Sequence, residues 1–179
     1  SFDMPGFTAQ VNALGALNVF TAAKENCKGA RIYQASSSEM FGTSVDPDNF
    51  QRESTPMHPV SPYGCSKLYA YSIARNFRRA YGLHISNGIL FNHESPRRGT
   101  NFVTAKVVKG ALDIKYKREK FLELGNLDSY RDWGHSYDYT KAMIKLLEYD
   151  EPLDIVISTG KAHSVKDLCK VVFSKLGMD

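Results

Sequence analysis

The chain has 179 residues, of which 42% are hydrophobic and 23% charged, with a formal net charge of +4. That balance is globular and excludes a wholly disordered or collagen-like chain, and so mild a basic excess is no argument for a nucleic-acid partner. The length suits one ordinary domain and falls short of a full two-domain enzyme.

Residues 8–25 read as a helix, with Val11, Leu14, Leu17 and Phe20 recurring at three-residue steps. Residues 31–38 (RIYQASSS) read as a short strand running into a serine-rich loop, which Pro47, Pro56 and Pro59 punctuate up to Ser61. The next helix is the best marked: Ser61 suits the N-cap, Pro62 the first helical position, and Gly82 the stop after Tyr81. Residues 83–92 have the composition of a buried strand. A helix over 101–117 carries Val103, Val107, Ala111 and Ile114 on one stripe, and residues 121–124 read as a short strand. Residues 136–149 form a helix with Tyr139, Met143 and Leu146 inward, and residues 153–158 a strand. Ser164 with Asp167 makes a capping box that opens a last helix, ending at Gly177.

Strands alternating with helices of this length indicate parallel βαβ units and an α/β sheet. Such sheets usually announce a nucleotide site with a Gly-rich turn after the first strand, and Gly6, Gly15, Gly29 and Gly42 are too dispersed to make one. The chain also opens on a helix where a parallel sheet would open on a strand, so the expectation is the middle of something larger. Three separated cysteines (Cys27, Cys65, Cys169) without a CxxC point to reduced thiols in a cytoplasmic protein, with no zinc site and no disulfide framework. No apolar run reaches the roughly 18 residues of a membrane span. Residues 1–5 lack the basic and apolar regions of a signal peptide.

Tyr63 and Lys67 lie four apart on the best-capped helix and therefore share a face. A lysine cation beside a phenol stabilises the phenolate, which can then take a proton from a substrate hydroxyl. The spacing alone singles out nothing, because Tyr116/Lys120 and Tyr137/Lys141 repeat it. Context separates them: only Tyr63 and Lys67 follow a strand that ends in a polar cluster, Ala35-Ser36-Ser37-Ser38-Glu39. The carboxyl ends of strands are where open α/β sheets place ligands.

Those residues, Ser36-Ser37-Ser38-Glu39-Met40-Phe41-Gly42 and then Ser61-Pro62-Tyr63-Gly64-Cys65-Ser66-Lys67, resemble the active-site signature of extended short-chain dehydrogenase/reductases. The stretch from Asn87 to Gly99 (NGILFNHESPRRG) and Arg131-Asp132-Trp133-Gly134-His135 resemble, more narrowly, the GDP-mannose 4,6-dehydratase family. The resemblance implies part of an NAD(P)-binding Rossmann-like parallel sheet with flanking helices, plus part of a smaller substrate-binding domain. Residues 1–100 would be the C-terminal part of the dinucleotide-binding domain. Residues 101–150 would be a mixed substrate-binding and return segment, and 151–179 a strand and helix near the substrate domain.

The implied activity is that of a lyase, converting GDP-mannose to GDP-4-keto-6-deoxymannose through NADP-dependent internal redox and loss of water, on the route to GDP-fucose. The catalytic group would be Ser37, Glu39, Tyr63 and Lys67. Glu39 is the most diagnostic, since a simple alcohol dehydrogenase needs no extra base whereas elimination does. His93 and Arg98, with Lys67, would contact NADP. Asn92, Lys106 and Arg131 would bind the GDP diphosphate, where guanidinium and ammonium groups suit phosphate oxygens.

A homodimer or tetramer is expected, without a metal, a membrane or a nucleic-acid partner. Phe7 and Ala105 stand where the family favours tyrosine and arginine, and neither change removes a catalytic group. Without the Gly-rich turn the isolated chain is expected to bind NADP weakly or not at all. Two other readings compete: a nucleotide-sugar reductase or epimerase of the same superfamily, and a non-catalytic truncated fragment.

Overall fold

The computed structural model describes residues 1–178, which form two compact units, 1–91 with 139–157, and 92–138 with 158–178. In the first unit, α1 (Pro5–Ala9), a π-helical turn (Gln10–Leu14) and α2 (Gly15–Asn26) follow one another without a break. Strand β1 (Arg31–Ser37) then runs into a 3-10 turn (Ser38–Met40). The sequence pattern predicts a single helix here, and the π turn explains which face it buries. A π turn holds more residues than an α turn, so it rotates the apolar stripe. Phe20 is buried and Leu17 packs beside it, whereas Val11 and Leu14 stay exposed and Ala13 and Ala16 take their place inward.

Helix α3 (Pro62–Tyr81) begins and ends where the sequence predicts. The Ser61 side chain accepts from Gly64 N, and Gly82 adopts the left-handed conformation that closes the helix. Strands β1, β2 (His84–Leu90) and β5 (Asp154–Ile157) form one parallel sheet in the order β1-β2-β5. One face of it packs against α2 and α3 through Ile32, Ile85, Leu83, Phe20, Ala74 and Phe77. Toward the carboxyl ends of the strands a second cluster of Met40, Phe41, Tyr71 and Ile89 continues the core.

The second unit holds β3 (Asn92–Glu94), α4 (Val103–Lys115), β4 (Tyr130–His135), β6 (Ala162–Ser164) and α6 (Val165–Lys175), while α5 (Ser136–Glu148) starts at its end. Its sheet has the order β3-β4-β6, parallel between β3 and β4 and antiparallel between β4 and β6. The single strand expected over 83–92 is therefore two, broken at Phe91, whose ring packs beside Phe41. No strand forms over 121–124: Phe121 is exposed, and Leu122 instead fills the space beside Gly110 of α4, where a Cβ would sit 2.6 Å from the leucine. The capping box of α6 is present as expected, with Ser164 and Asp167 bonded reciprocally. Among the described residues no helix is long and apolar enough to cross a membrane.

Candidate active site

The four residues expected to do chemistry fall together in the first unit. Ser37 ends β1, is buried, and accepts a hydrogen bond from Glu39 N at 3.2 Å as the N-cap of the 3-10 turn. Its own hydroxyl proton therefore remains for another acceptor. Glu39 stands one residue into that turn and is exposed.

The turn lies directly on the start of α3: a Cβ at position 64 would be 2.7 Å from the Glu39 carbonyl oxygen and 2.9 Å from Pro59 Cβ. Glycine after Tyr63 thus permits a backbone approach that brings the Glu39 turn beside the tyrosine. Lys67, one helical turn on from Tyr63, reaches back to β1, where its Nζ donates to the Ala35 carbonyl at 3.1 Å. The same ammonium sits 5.6 Å from the centre of the Tyr63 ring. Partial burial pushes the Lys67 amine below the ordinary lysine range. Tyr63, Lys67, Ser37 and the backbone turn that carries Glu39 thus meet at the carboxyl end of β1, the end at which α/β sheets bind ligands.

Apart from Lys67, the residues expected to bind cofactor and substrate lie in the second unit. Asn92 and His93 occupy β3, paired in register with Trp133 and Gly134 of β4. Arg131 is exposed on the same β4, its Nη1 donating to its neighbour's Tyr130 carbonyl at 2.7 Å. Lys106 is exposed in the first turns of α4. Arg98 is the most constrained, with Nε 3.2 Å from a Glu94 carboxylate oxygen and its guanidinium 3.5 Å above the Phe102 ring centre. Thr104 Oγ1 donates to the same Glu94 oxygen. A cleft of about 660 Å³ opens beside this cluster, walled by Val108, Leu112, Trp133 and Leu168.

Several residues that shape these sites escape the sequence reading. Glu94, Phe102 and Thr104 hold Arg98, and only the four-residue spacing of Glu94 from Arg98 hints at it. Asp132, next to Arg131, accepts from Thr159 N, Thr159 Oγ1 and Gly160 N, which clamps the loop before β6 against β4. Of the two tyrosines that follow Lys67 on α3, Tyr71 is buried and Tyr69 is exposed.

The family model and the curated relatives agree on one family. The family model for GDP-mannose 4,6 dehydratase matches residues 1–179. GDP-mannose 4,6 dehydratase of Homo sapiens is 48% identical over 99% of this chain and 48% of its own length. That of Drosophila melanogaster is 47% identical over 98% of this chain and 45% of its own. The chain thus spans about half the length of the curated relatives it matches. Among solved structures, RMD from Pseudomonas aeruginosa complexed with NADPH superposes with a TM-score of 0.90 at 26% identity, covering 98% of this chain and 60% of that one. dTDP-glucose 4,6-dehydratase from Bacillus anthracis shares the fold, with a TM-score of 0.86 at 24% identity, over 96% of this chain and 53% of that one. With the α/β sheet and the Ser37-to-Lys67 grouping in place, a match over the whole length assigns the chain to the GDP-mannose 4,6-dehydratase family.

Proposed function

We propose that this chain is the catalytic segment of a GDP-mannose 4,6-dehydratase. The observation that carries the reading is the approach of the Glu39 backbone turn to the start of α3, which brings the residue bearing the carboxyl group next to the helix that carries the ammonium-supported phenol. Tyr63, as phenolate, takes the proton of the mannose 4-hydroxyl, and Lys67 holds that anionic form by its charge. Ser37 donates its free proton to the 4-oxygen as charge shifts there.

The resulting 4-ketone acidifies the C5 hydrogen, which Glu39 removes as a proton. The C5–C6 double bond forms as the C6–O bond breaks, and Glu39 returns its proton to the departing hydroxyl, releasing water. Saturation of that double bond adds a hydride at C6 and a proton at C5, the latter from Glu39 reprotonated by solvent. Tyr63 gives up to solvent the proton it took from the 4-hydroxyl. Oxidation at C4 offsets reduction at C6, so the net change is dehydration.

NADP fits the donor set at this end of the sheet. The Lys67 ammonium spends one proton on Ala35 and keeps two for ribose hydroxyls. When bound, the nicotinamide would supply the reversible two-electron chemistry that links oxidation at C4 to reduction at C6. His93 and Arg98 serve the same cofactor, and Asn92, Lys106 and Arg131 hold the diphosphate. The test is a polypeptide of full family length carrying this sequence, incubated with GDP-mannose and catalytic NADP. Carbon NMR is expected to record a 4-keto-6-deoxy sugar nucleotide, and recovery of unchanged GDP-mannose would refute the reading.

A further inference from the structure

The mechanism above makes no use of a polar rung that crosses the first sheet beneath α3. The register aligns Gln34 with Asn87 and Asn87 with Asp154, between the apolar pairs Ile32/Ile85 and Ile89/Val156. Asn87 is wholly buried, and both ends of its amide are used. Its Oδ1 accepts from Ser36 Oγ at 3.1 Å, and its Nδ2 donates to Asp154 Oδ1 at 2.7 Å. The other Asp154 oxygen accepts from Arg78 Nη2 at 2.7 Å and lies 3.3 Å from Arg75 Nε, both on α3. Arg78 Nη1 in turn donates to the Ile85 carbonyl at 3.2 Å.

Helix α3 is thereby tied to the sheet at both ends. Its carboxyl half is bound through Arg78 to Asp154, and its amino half through Lys67 to Ala35. The two anchor points on β1, Ala35 and Ser36, immediately precede Ser37. Apolar side chains tolerate sliding of a helix along a sheet, whereas directional buried bonds permit one register. Only an asparagine of this size both accepts from Ser36 and donates to Asp154. Aspartate would oppose two carboxylates, and leucine would strand the serine and one aspartate oxygen.

We propose that Asn87 and Asp154 are positioning residues that set the axial register of α3 on the sheet, and with it the placement of Tyr63 and Lys67 against Ser37 and Glu39. The consequence for turnover rests on the function proposed above, but the positioning itself does not, and the two are tested separately. Carbon-13 NMR titration of Lys67 in this chain reads the positioning directly. Asn87→Leu, and to a smaller degree Ser36→Ala, are expected to move the Lys67 titration up toward the ordinary lysine value as its amine leaves the seat at Ala35. Phe20→Leu, which loosens the α2–α3 packing without touching the rung, should leave it in place.

In a family-length polypeptide, Asn87→Leu should lower kcat on the order of 100-fold with little change in KM, since misplacement by about an ångström costs that much. An unchanged Lys67 titration in a folded Asn87→Leu protein overturns the proposal. If that variant does not fold, Ser36→Ala, which removes a single bond, decides alone. A shifted titration alongside an inactive unmodified polypeptide sustains the positioning and refutes the function.

Discussion

Lys67 occupies a seat that costs stability while it serves the site. Burial drives its amine below the ordinary lysine range even though its Nζ donates to the Ala35 carbonyl. Between that depressed value and the ordinary one of about 10.4, the unfolded chain binds more protons than the folded one, so stability rises with pH across the interval. As pH falls through the depressed value the gain is lost. Lys67→Met has no such titration. The urea-unfolding stability of the unmodified chain, relative to Lys67→Met, is therefore expected to climb as the pH is raised from neutral into the alkaline range. A difference that stays flat would contradict the burial assigned to this amine. The Tyr63–Lys67 pair was legible because helical spacing and capping are written in side chains. The partner of Lys67 was not, because a backbone carbonyl carries no residue-type signature. The same holds for Asn87, whose two partners lie 51 and 67 residues away in sequence.

At the scale of elements, the helices and the strands of the first sheet were legible and the strands of the second sheet were not. The caps of α3 and α6 are local chemistry, so Ser61, Gly82 and the Ser164–Asp167 box mark their ends correctly. Strands β4 and β6 have six and three residues, and nothing in Tyr130–His135 alternates apolar with polar, so pairing across the chain defines them. The π turn is likewise invisible to a stripe count that assumes one helical period. Gly42 links the Glu39 turn to the loop that returns at His58, the two forming a bridge. Its φ of +60° is left-handed, and a Cβ there would run into the His58 carbonyl oxygen. Gly42→Ala is expected to cost about 2 kcal/mol or more in denaturant unfolding, the sum of a strained backbone and a displaced loop. A loss within experimental error would show that the loop yields freely.

At the scale of the whole molecule, the chain divides its expected labour between two units. The proposed chemistry lies in Ser1–Phe91 with Tyr139–Ile157, and the proposed diphosphate ligands lie in Asn92–Asp138. The α/β class was legible because alternating strands and helices leave few topologies open. The return of Tyr139–Ile157 to the first sheet was not, since strand order is set by packing between distant segments. The central claim concerns the carboxyl group beside the phenol. Its most direct test is Glu39→Gln in a family-length polypeptide given GDP-mannose and NADP. The near-ultraviolet absorbance of reduced nicotinamide and the sugar product are then followed together. Oxidation at C4 needs only Tyr63, Lys67 and Ser37, so the account predicts that reduced cofactor accumulates while no 4-keto-6-deoxy product forms. Formation of that product at the unmodified rate would contradict it.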